Sequence, residues 1–309
     1  MVAALTAAHH GLSTVVVEKA PHYGGSTARS GGGVWIPNNE VLRRDGVSDT
    51  PEAARTYLHG IVGDVVPAEK IDTYLERGPE MLSFVLKNTP LKMCWVPGYS
   101  DYYPEEPGGR PAGRSIEPLP FDARKLGPDE KGLEPAYGKV PLNVVVMQQD
   151  YVRLNQLKRH PRGVLRSLKV GARTMWAQAR HKNLVGMGRA LIAPLRVALR
   201  QAGVPVLLNT ELTDLYVEDS VVRGIYVRDT NAPEDAEPRL IQARRGVILC
   251  SGGFEHNEAM RHKYQRAPIT TDWTVGAVAN TGDGIVAAEK LGAALELMED
   301  AWWGPTVPL

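Results

Sequence analysis

Cysteine is scarce in this 309-residue chain, which contains two, Cys94 and Cys250. They lie far apart and match no metal-binding or redox spacing, so a reduced, cytoplasmic setting is the simplest expectation. Long apolar runs are also missing, since none approaches the ~20 residues of a membrane-spanning helix. The N-terminal residues lack the basic start and the long apolar stretch of a secretory signal. From these absences we expect a chain that is neither exported nor membrane-spanning.

Net charge is close to zero, +1 from 36 basic and 35 acidic residues, which excludes a disordered or supercharged chain. The charges are unevenly distributed along the sequence. Residues 151–200 contain twelve Lys or Arg and no Asp or Glu, whereas the other 24 basic residues are outnumbered by 35 acidic ones. The length and the hydrophobic content of 43% suffice for one large domain or two ordinary ones.

Glycine is plentiful, with 31 residues. A cluster of glycines close to the N-terminus is typical of nucleotide-binding proteins. Residues 2–8 are Ala-rich and predict a helix, and the β-branched run Thr14–Val17 predicts a strand buried on both faces. Glu18 ends that strand, and a Gly-rich stretch over residues 24–33 follows, which we expect to be irregular. Together they form the second half of a βαβ nucleotide-binding unit. Its first strand and G-x-G-x-x-G turn are missing, so we expect a fragment or an internal start.

Glu18 and the Gly-rich stretch are candidate cofactor ligands. An acid at a strand tip accepts hydrogen bonds from ribose hydroxyls; the alternative is an exposed strand-end carboxylate. Glycines at 24, 25 and 31–33 allow backbone amides to approach a phosphate or a flavin ring, and the hydroxyls of Ser26, Thr27 and Ser30 donate to phosphate oxygens. The alternative for this stretch is a flexible surface loop.

Hydrophobic periodicity and end signals place further elements. Helices are predicted within 50–90, with Thr50 as the cap of the first and the second over Glu69–Asn88, and over 163–180, 187–202 and Ile285–Leu291. Strands are predicted at Val204–Leu208 and Gly246–Cys250, and a hairpin from Leu212–Glu218 and Val221–Arg228. Ser251-Gly252-Gly253 after a buried strand allows close approach to a cofactor, although many loops carry such a pair. Residues 280–284 place free amides and Asp283 at a helix start; a plain capped helix is the alternative.

Three other groups invite functional hypotheses. Tyr99, Tyr102 and Tyr103 lie in an irregular excursion over 90–140, where a tyrosine can act as acid, base or hydrogen-bond donor, although packing is the commoner role. The apolar face of the helix over 163–180 is surrounded by Arg and Lys, which is typical of an interfacial membrane helix. A helix packed on its own domain is the alternative, and nucleic-acid binding is not favoured. The histidines and acids at 255–262 match no metal-site spacing, and no metal is predicted.

Four segments carry a resemblance to a known family: VVVEKAPHYGGSTARSGGGVWIP, GYSDYYPEEPGGRPAGRSIEPLPF, GVILCSGGFEHN and ANTGDGIVAAEKLGAALELMEDAWWGPTVPL. Together they resemble the flavin-dependent 3-ketosteroid Δ1-dehydrogenases, relatives of the fumarate reductase and succinate dehydrogenase flavoproteins. The resemblance implies an α/β fold, a Rossmann-like FAD-binding domain of the GR2 type with a helical insertion. FAD is the implied cofactor and a 3-ketosteroid the implied substrate.

By resemblance, the FAD-binding residues are Glu18, Lys19, Gly25, Ser26, Thr27, Ser30, Gly31, Gly32, Leu212, Gly252, Gly253 and Asp283. Glu18 would bind the ribose and the glycine stretch the pyrophosphate and the flavin. Tyr102 matches an active-site tyrosine of the family and would support the tyrosine that removes the C2 proton, while flavin N5 accepts the C1 hydride.

The sequence also departs from this family. The groups that bind the C3 carbonyl and the principal base would lie beyond Leu309, so we expect residues 1–298 to be an incomplete FAD-binding domain and 299–309 the start of a catalytic domain. A chain of this extent is expected to have little or no activity. Alternatives are a relative acting on another substrate, a Δ4-steroid or a dicarboxylate, and a non-enzymatic flavin-binding remnant. An external electron acceptor and peripheral membrane contact through 151–200 complete the expected partners.

Overall fold

The computed structural model describes residues 1–136, 138, 144–155, 160–233 and 235–304. The chain divides into two compact units. The first unit comprises Met1–Thr14 and Thr27–Pro205, and the second unit comprises Val15–Ser26 and Val206–Leu309.

The α-helices of the described residues are α1 (Val2–His9), α2 (Gly25–Arg29), α3 (Glu40–Arg44), α4 (Pro51–Val62), α5 (Ala68–Asn88), α6 (Gln148–Leu154), α7 (Pro161–Ala179), α8 (Met187–Gln201), α9 (Glu258–Tyr264) and α10 (Asp283–Glu289). The strands are β1 (Val16–Val17), β2 (Val34–Trp35), β3 (Met93–Trp95), β4 (Ser115–Pro118), β5 (Phe121–Asp122), β6 (Leu184–Val185), β7 (Val206–Leu207), β8 (Thr210–Glu218), β9 (Val221–Asp229) and β10 (Arg239–Gln242). The mixture of helix and sheet agrees with the predicted α/β class.

The core of the first unit lies between helices and a small antiparallel sheet. Strand β4 is the centre of the three-stranded order β2-β4-β3, and every residue of β4 is buried. Helix α5 contributes Leu82 and Val85 to the same apolar cluster as Ile116 of β4. Because β4 is covered on both faces, any polar side chain on it must find a partner inside the protein.

The ends of several helices follow the local signals of the sequence. Thr50 accepts a hydrogen bond from the Ala53 amide, and Pro51 is the first residue of α4, as predicted. Asn39 caps α3 by accepting from the amides of Val41 and Leu42. The two basic helices predicted at 163–180 and 187–202 are confirmed as α7 and α8.

The second unit contains a parallel pair and an antiparallel sheet. Strand β1 pairs with β7 in parallel, Val16 opposite Val206. Strands β8 and β9 form the predicted hairpin, and β10 extends it on the other side of β9. Asp219 and Ser220 have φ of 51° and 61°, the left-handed conformation that a two-residue hairpin turn requires.

Two strand predictions differ from the structure. The run at 14–17 is not buried on both faces, since β1 covers two residues and Val15 is 38% exposed. The predicted strand Gly246–Cys250 is not formed in the described structure, and Ile248 is 70% exposed. A β-branched run favours a strand, but whether the strand forms and is buried depends on neighbouring strands that the local sequence does not specify.

The Gly-rich stretch over 24–33 was expected to be irregular, but it contains α2. The glycines stand at its two ends, so Ser26 to Arg29 carry side chains and can form one helical turn. Gly24 and Gly25, with φ of 119° and 49°, make the sharp entry that a residue with a β-carbon rarely adopts.

Candidate cofactor-binding site

Glu18 is fixed at the carboxyl end of β1. Its amide donates to the Leu207 carbonyl at 2.8 Å, and its carbonyl accepts from the Thr210 amide at 2.9 Å. Its carboxylate Oε1 accepts from the amide of Ala20 at 3.0 Å. The backbone is therefore held between β7 and β8, and the carboxylate stands at the strand tip where the sequence placed it.

Lys19 and Asp283 bind each other. The Lys19 Nζ lies 2.9 Å from Oδ2 of Asp283, and the Thr281 hydroxyl donates to the same carboxylate at 2.7 Å. Asp283 is the first residue of α10, so its negative charge also faces the positive end of that helix. This ion pair joins the end of β1 to the start of α10 inside the second unit.

Ser26 is joined to the loop before α10. Its Oγ accepts from the Ala277 amide at 2.9 Å and from Nδ2 of Asn280 at 3.0 Å. The same Nδ2 donates to Oε1 of Glu255 at 2.8 Å. Glu255 and the side chain of Asn280 were not among the predicted cofactor-binding groups, although Asn280 begins the predicted stretch 280–284. They act on this cluster through contacts distant in sequence, which no local signal reports.

Gly252 and Gly253 pack against that network. A β-carbon on Gly252, whose φ is +80°, would lie 2.8 Å from Oδ1 of Asn280. One on Gly253 would lie 2.8 Å from Oε2 of Glu255. Glycine at these positions is thus needed for the close approach of two polar side chains. Leu212, also predicted, lies half-buried on β8 beside a bulge of the hairpin.

The predicted residues from Thr27 to Gly32 belong to the first unit. The Ser30 carbonyl accepts from the amide of Gly188 at 3.0 Å, and the Ser30 hydroxyl donates to the Thr27 carbonyl at 2.8 Å. A β-carbon on Gly32, with φ of +72°, would lie 2.7 Å from the carbonyl carbon of Met187. Residues 30–33, called the glycine segment below, therefore pack against the N-terminal turn of α8. Sequence reasoning missed this contact.

Tyr102 lies on a loop of the first unit, and 65% of the residue is exposed. The neighbouring Tyr103 amide donates to the Tyr57 hydroxyl at 3.2 Å, and the Trp35 indole donates to Asp101 at 2.8 Å. Burial raises the pKa of Tyr57, so this phenol stays protonated. The loop is thus held on both sides of Tyr102 while its phenol ring faces outward.

Arg114 organises this loop from inside. It is fully buried, forms ion pairs with Asp49 and Asp101, and donates to the Gly108 carbonyl at 2.8 Å. Its guanidinium also lies 5.5 Å from the centre of the Tyr57 ring. A charged group this deeply buried persists because each side of it has a partner.

The residues of the second unit fit a dinucleotide cofactor. A carboxylate at a strand tip accepts from ribose hydroxyls. A β-carbon on Gly25 would meet nothing nearer than 4.0 Å, the distance to Cβ of Ala277, so the start of α2 is open. The first amides of a helix have no partner within it, so a helix start of this kind can bind a phosphate. Gly282 precedes α10 without a side-chain cap, which gives a second set of such amides.

Comparison with known proteins agrees with this chemistry. The family model described as "FAD binding domain" matches residues 1–309. The chain is 85% identical over 309 residues to the 3-oxosteroid 1-dehydrogenase of Mycolicibacterium smegmatis, covering 100% of this chain and 54% of that protein. It is 83% identical to the 3-oxosteroid 1-dehydrogenase of Mycobacterium tuberculosis, covering 100% of this chain and 55% of the relative.

A solved structure is similar over the same extent. The crystal structure of 3-ketosteroid delta1-dehydrogenase from Sterolibacterium denitrificans, in complex with 1,4-androstadiene-3,17-dione, matches with a TM-score of 0.89 at 36% identity. The match covers 100% of this chain and 55% of that one. The chain thus spans about half the length of the relatives it matches. In the part of the chain that the structure describes, no helix has the length and apolarity to cross a bilayer. From the family match over its whole length and the cofactor chemistry of its second unit, the chain belongs to the FAD-binding domain family of flavoproteins, and its cofactor is FAD.

Proposed function

We propose that this chain is the FAD-binding part of a flavin-dependent 3-ketosteroid Δ1-dehydrogenase. The observation that carries the proposal is 85% identity, over all 309 residues, to a 3-oxosteroid 1-dehydrogenase. The similar solved structure, which holds 1,4-androstadiene-3,17-dione, supports the same substrate class. The chemistry that FAD supplies when bound is acceptance of the hydride removed from C1 of the steroid.

The residues of this chain have binding and proton-handling roles in that reaction. Glu18 accepts from the ribose hydroxyls of FAD, and the amides at the starts of α2 and α10 bind its pyrophosphate. The Lys19–Asp283 pair and the Ser26–Asn280 bonds hold these groups in place. Tyr102 presents a phenol that donates a hydrogen bond to the group removing the C2 proton. The division of the chain at residue 298 into an FAD-binding and a catalytic part stays a prediction.

The 309 residues alone are expected to dehydrogenate steroids slowly or not at all. They span 54% of the length of the Mycolicibacterium smegmatis relative. The remaining half of the relatives would supply the principal base and the groups that polarise the C3 carbonyl. Rapid reduction of FAD on the purified chain by a 3-ketosteroid would contradict this expectation.

A chimera tests the proposed activity. This chain replaces the matching 309 residues of the Mycolicibacterium smegmatis enzyme, and flavin bleaching is followed anaerobically after addition of a 3-ketosteroid. We expect bleaching at a rate close to that of the parent enzyme. Tyr102→Phe should slow it about 10- to 100-fold, the effect of removing one hydrogen bond to a charged group.

The same chimera tests the non-enzymatic alternative. A chimera that folds and binds FAD but is not bleached by a 3-ketosteroid would support a non-enzymatic remnant.

We further propose that helix α7 contacts an anionic membrane surface. The helix packs through Gly163, Val170, Thr174 and Ala177, whereas Leu165 and Met175 on its other side are 67% and 70% exposed. This supports the interfacial interpretation, because the residues that the structure describes leave this apolar face exposed. Arg166 and Arg173 do not contribute, since both are ion-paired with Asp150. The flanking charges are Arg162, Lys169, Arg180 and Lys182.

Vesicle binding tests the membrane proposal. The chain should bind vesicles containing phosphatidylserine at low salt and release at high salt. Leu168→Glu should reduce binding at least tenfold, whereas Val65→Glu, at an exposed apolar residue elsewhere in the first unit, should not. Equal binding of both variants, or no salt-sensitive binding of the unmodified chain, would refute it.

A further inference from the structure

The side chain of Gln148 lies against the glycine segment of the first unit. A β-carbon placed on Gly31 would lie 3.1 Å from Oε1 of Gln148, and one on Gly33 would lie 2.9 Å from it. The carboxamide therefore lies close to both glycines, and a side chain on either one would displace it. Gly32, between them, packs on the other side against Met187.

A buried carboxylate fixes Gln148 in this place. Oε2 of Glu117 accepts from the Gln148 amide at 2.6 Å, and Oε1 accepts from the Gln149 amide at 3.2 Å. Glu117 is fully buried in the middle strand, β4, so it cannot move without disturbing the sheet. The first turn of α6 is thus held by a fixed anion, and the orientation of Gln148 follows from it.

The cost of this arrangement indicates that the position of α6 matters. Burial raises the pKa of Glu117 even though two amides donate to the carboxylate, so the charged form is held against a desolvation penalty. A second acid, Asp150, accepts from the Met147 amide at 2.9 Å and tightens the same turn. The helix spans only seven residues, Gln148–Leu154, yet two buried acids fix its start.

The carboxamide of Gln148 retains hydrogen-bonding capacity. Among the residues that the structure describes, none is hydrogen-bonded to this side chain, whose Nε2 carries two donors. Its neighbour Gln149 differs, because Nε2 of Gln149 lies 3.4 Å from Sγ of Cys94. Gln148 is therefore the one of the pair that is available to a ligand lying along the glycine segment.

We propose that Gln148 is an FAD-binding residue that hydrogen-bonds the polar edge of the flavin ring along Gly31–Gly33, with Glu117 as its positioning residue. The inference rests on the proposed function, and on the expectation that Gly31–Gly33 lie along the flavin of the bound FAD. The ring edge alternates carbonyl oxygens and ring nitrogens, and a carboxamide, which both donates and accepts, matches such an edge. The adenosine and pyrophosphate parts of FAD lie outside its role.

Paired titrations with FAD and ADP test the inference, because ADP shares the adenosine and pyrophosphate of FAD but not its flavin. Gln148→Met keeps the length of the side chain and removes the hydrogen bonds. We expect the Kd for FAD to rise about 5- to 10-fold, the effect of one neutral hydrogen bond, with no change in the Kd for ADP. The absorption bands of the bound flavin should shift as well.

Two further variants complete the test. Glu117→Gln should also raise the Kd for FAD, as Gln148→Met does. A carboxamide has one acceptor oxygen, so it can replace only one of the two carboxylate oxygens that bind the amides of α6. Gln201→Ala, at the exposed end of α8, is the control and should leave both ligands unchanged. FAD affinity and spectrum of Gln148→Met equal to those of the unmodified chain would overturn the inference. A parallel loss of affinity for ADP and FAD in the folded variant would also overturn it, because the effect would then not be specific to the flavin. An unmodified chain that binds ADP but not FAD would refute the role of the glycine segment itself.

Discussion

Cys94 and Glu117 face each other across neighbouring strands, and the Glu117 carboxylate contributes to the raised pKa of Cys94. They are directly paired in the register of β3 and β4. Burial, with the nearby Glu117 carboxylate, raises the pKa of Cys94 to about 11. Burial likewise raises the pKa of Glu117. Burial therefore makes the charged form of each group more costly inside the first unit.

The two cysteines should differ sharply in reactivity. At pH 8 a thiol with a pKa of about 11 is ionised to about one part in a thousand, and the thiolate is the nucleophile. Cys250 is exposed, whereas Cys94 is partly buried. Iodoacetamide followed by peptide mass spectrometry should label Cys250 at least 100-fold faster than Cys94. Equal labelling rates in the folded chain would contradict the environment described for Cys94.

Glu117 should make stability fall as pH rises. The pKa of Glu117 is higher in the folded state than in the unfolded state. At a pH between these two pKa values, the folded state therefore binds more protons than the unfolded state. The contribution is complete below the unfolded pKa and is lost as pH increases through the folded pKa. Urea unfolding from pH 4.5 upward should therefore show a decline that Glu117→Gln flattens. Glu76→Gln, at an exposed position of α5, is the control, and a Glu117→Gln curve parallel to the unmodified one would refute the effect.

At the scale of elements, close backbone contact holds α8 against the glycine segment. The amide of Gly188 donates to the Ser30 carbonyl at 3.0 Å, and a β-carbon on Gly188 would collide with the carbonyl oxygen of Thr27. Helix α8 has nine buried residues, so it cannot shift to relieve that collision. Glycine at this position is a packing requirement.

Alanine at two helical glycines should thus have opposite effects. Gly188→Ala should destabilise the first unit by about 1–3 kcal/mol through overpacking. Gly171→Ala in α7 is the matched control, because a β-carbon there meets nothing within 4 Å. It should stabilise the helix by up to about 1 kcal/mol. Urea denaturation measures both, and similar changes in the two variants would contradict the close packing.

Helices were easier to predict from sequence than strands, for a physical reason. Thr50 and Pro51 are end signals that act within a few residues, and helix α4, which they begin, lies where expected. The run at 246–250 has the composition of a strand, but forming one needs a neighbour from elsewhere in the chain. Hairpin β8–β9 was predictable because its two strands are each other's neighbour.

The candidate site shows the same limit. Glu18 and the glycines were recognisable because their spacing after a strand is itself the signal. Asn280, Arg114 and Glu117 act through partners far away in sequence, and no spacing rule reports such contacts. Sequence therefore predicts the backbone of the candidate cofactor site, and the structure adds side-chain contacts, within each unit, that sequence does not predict.

At the scale of the whole molecule, the basic residues of 151–200 and the groups of the strand-tip cofactor site lie in different units. The basic residues of 151–200 belong to the first unit, where several pair with acids such as Asp129 and Asp150. The strand-tip carboxylate, the Lys19–Asp283 pair and the Ser26 network belong to the second unit. The balanced net charge of +1 thus reports neither feature.

The affinity of the chain for FAD compared with FMN tests the central claim most directly, because FMN lacks the adenosine half. Fluorescence titration should give a lower Kd for FAD than for FMN. Glu18→Ala should raise the Kd for FAD about 10- to 100-fold and leave the Kd for FMN unchanged. The reason is that the variant loses the hydrogen bonds that the ribose hydroxyls donate to a charged carboxylate. Glu237→Ala, at an exposed loop position, is the control. Equal affinity for the two flavins, or an FAD affinity insensitive to Glu18, would contradict the assignment of the second unit as the dinucleotide-binding part.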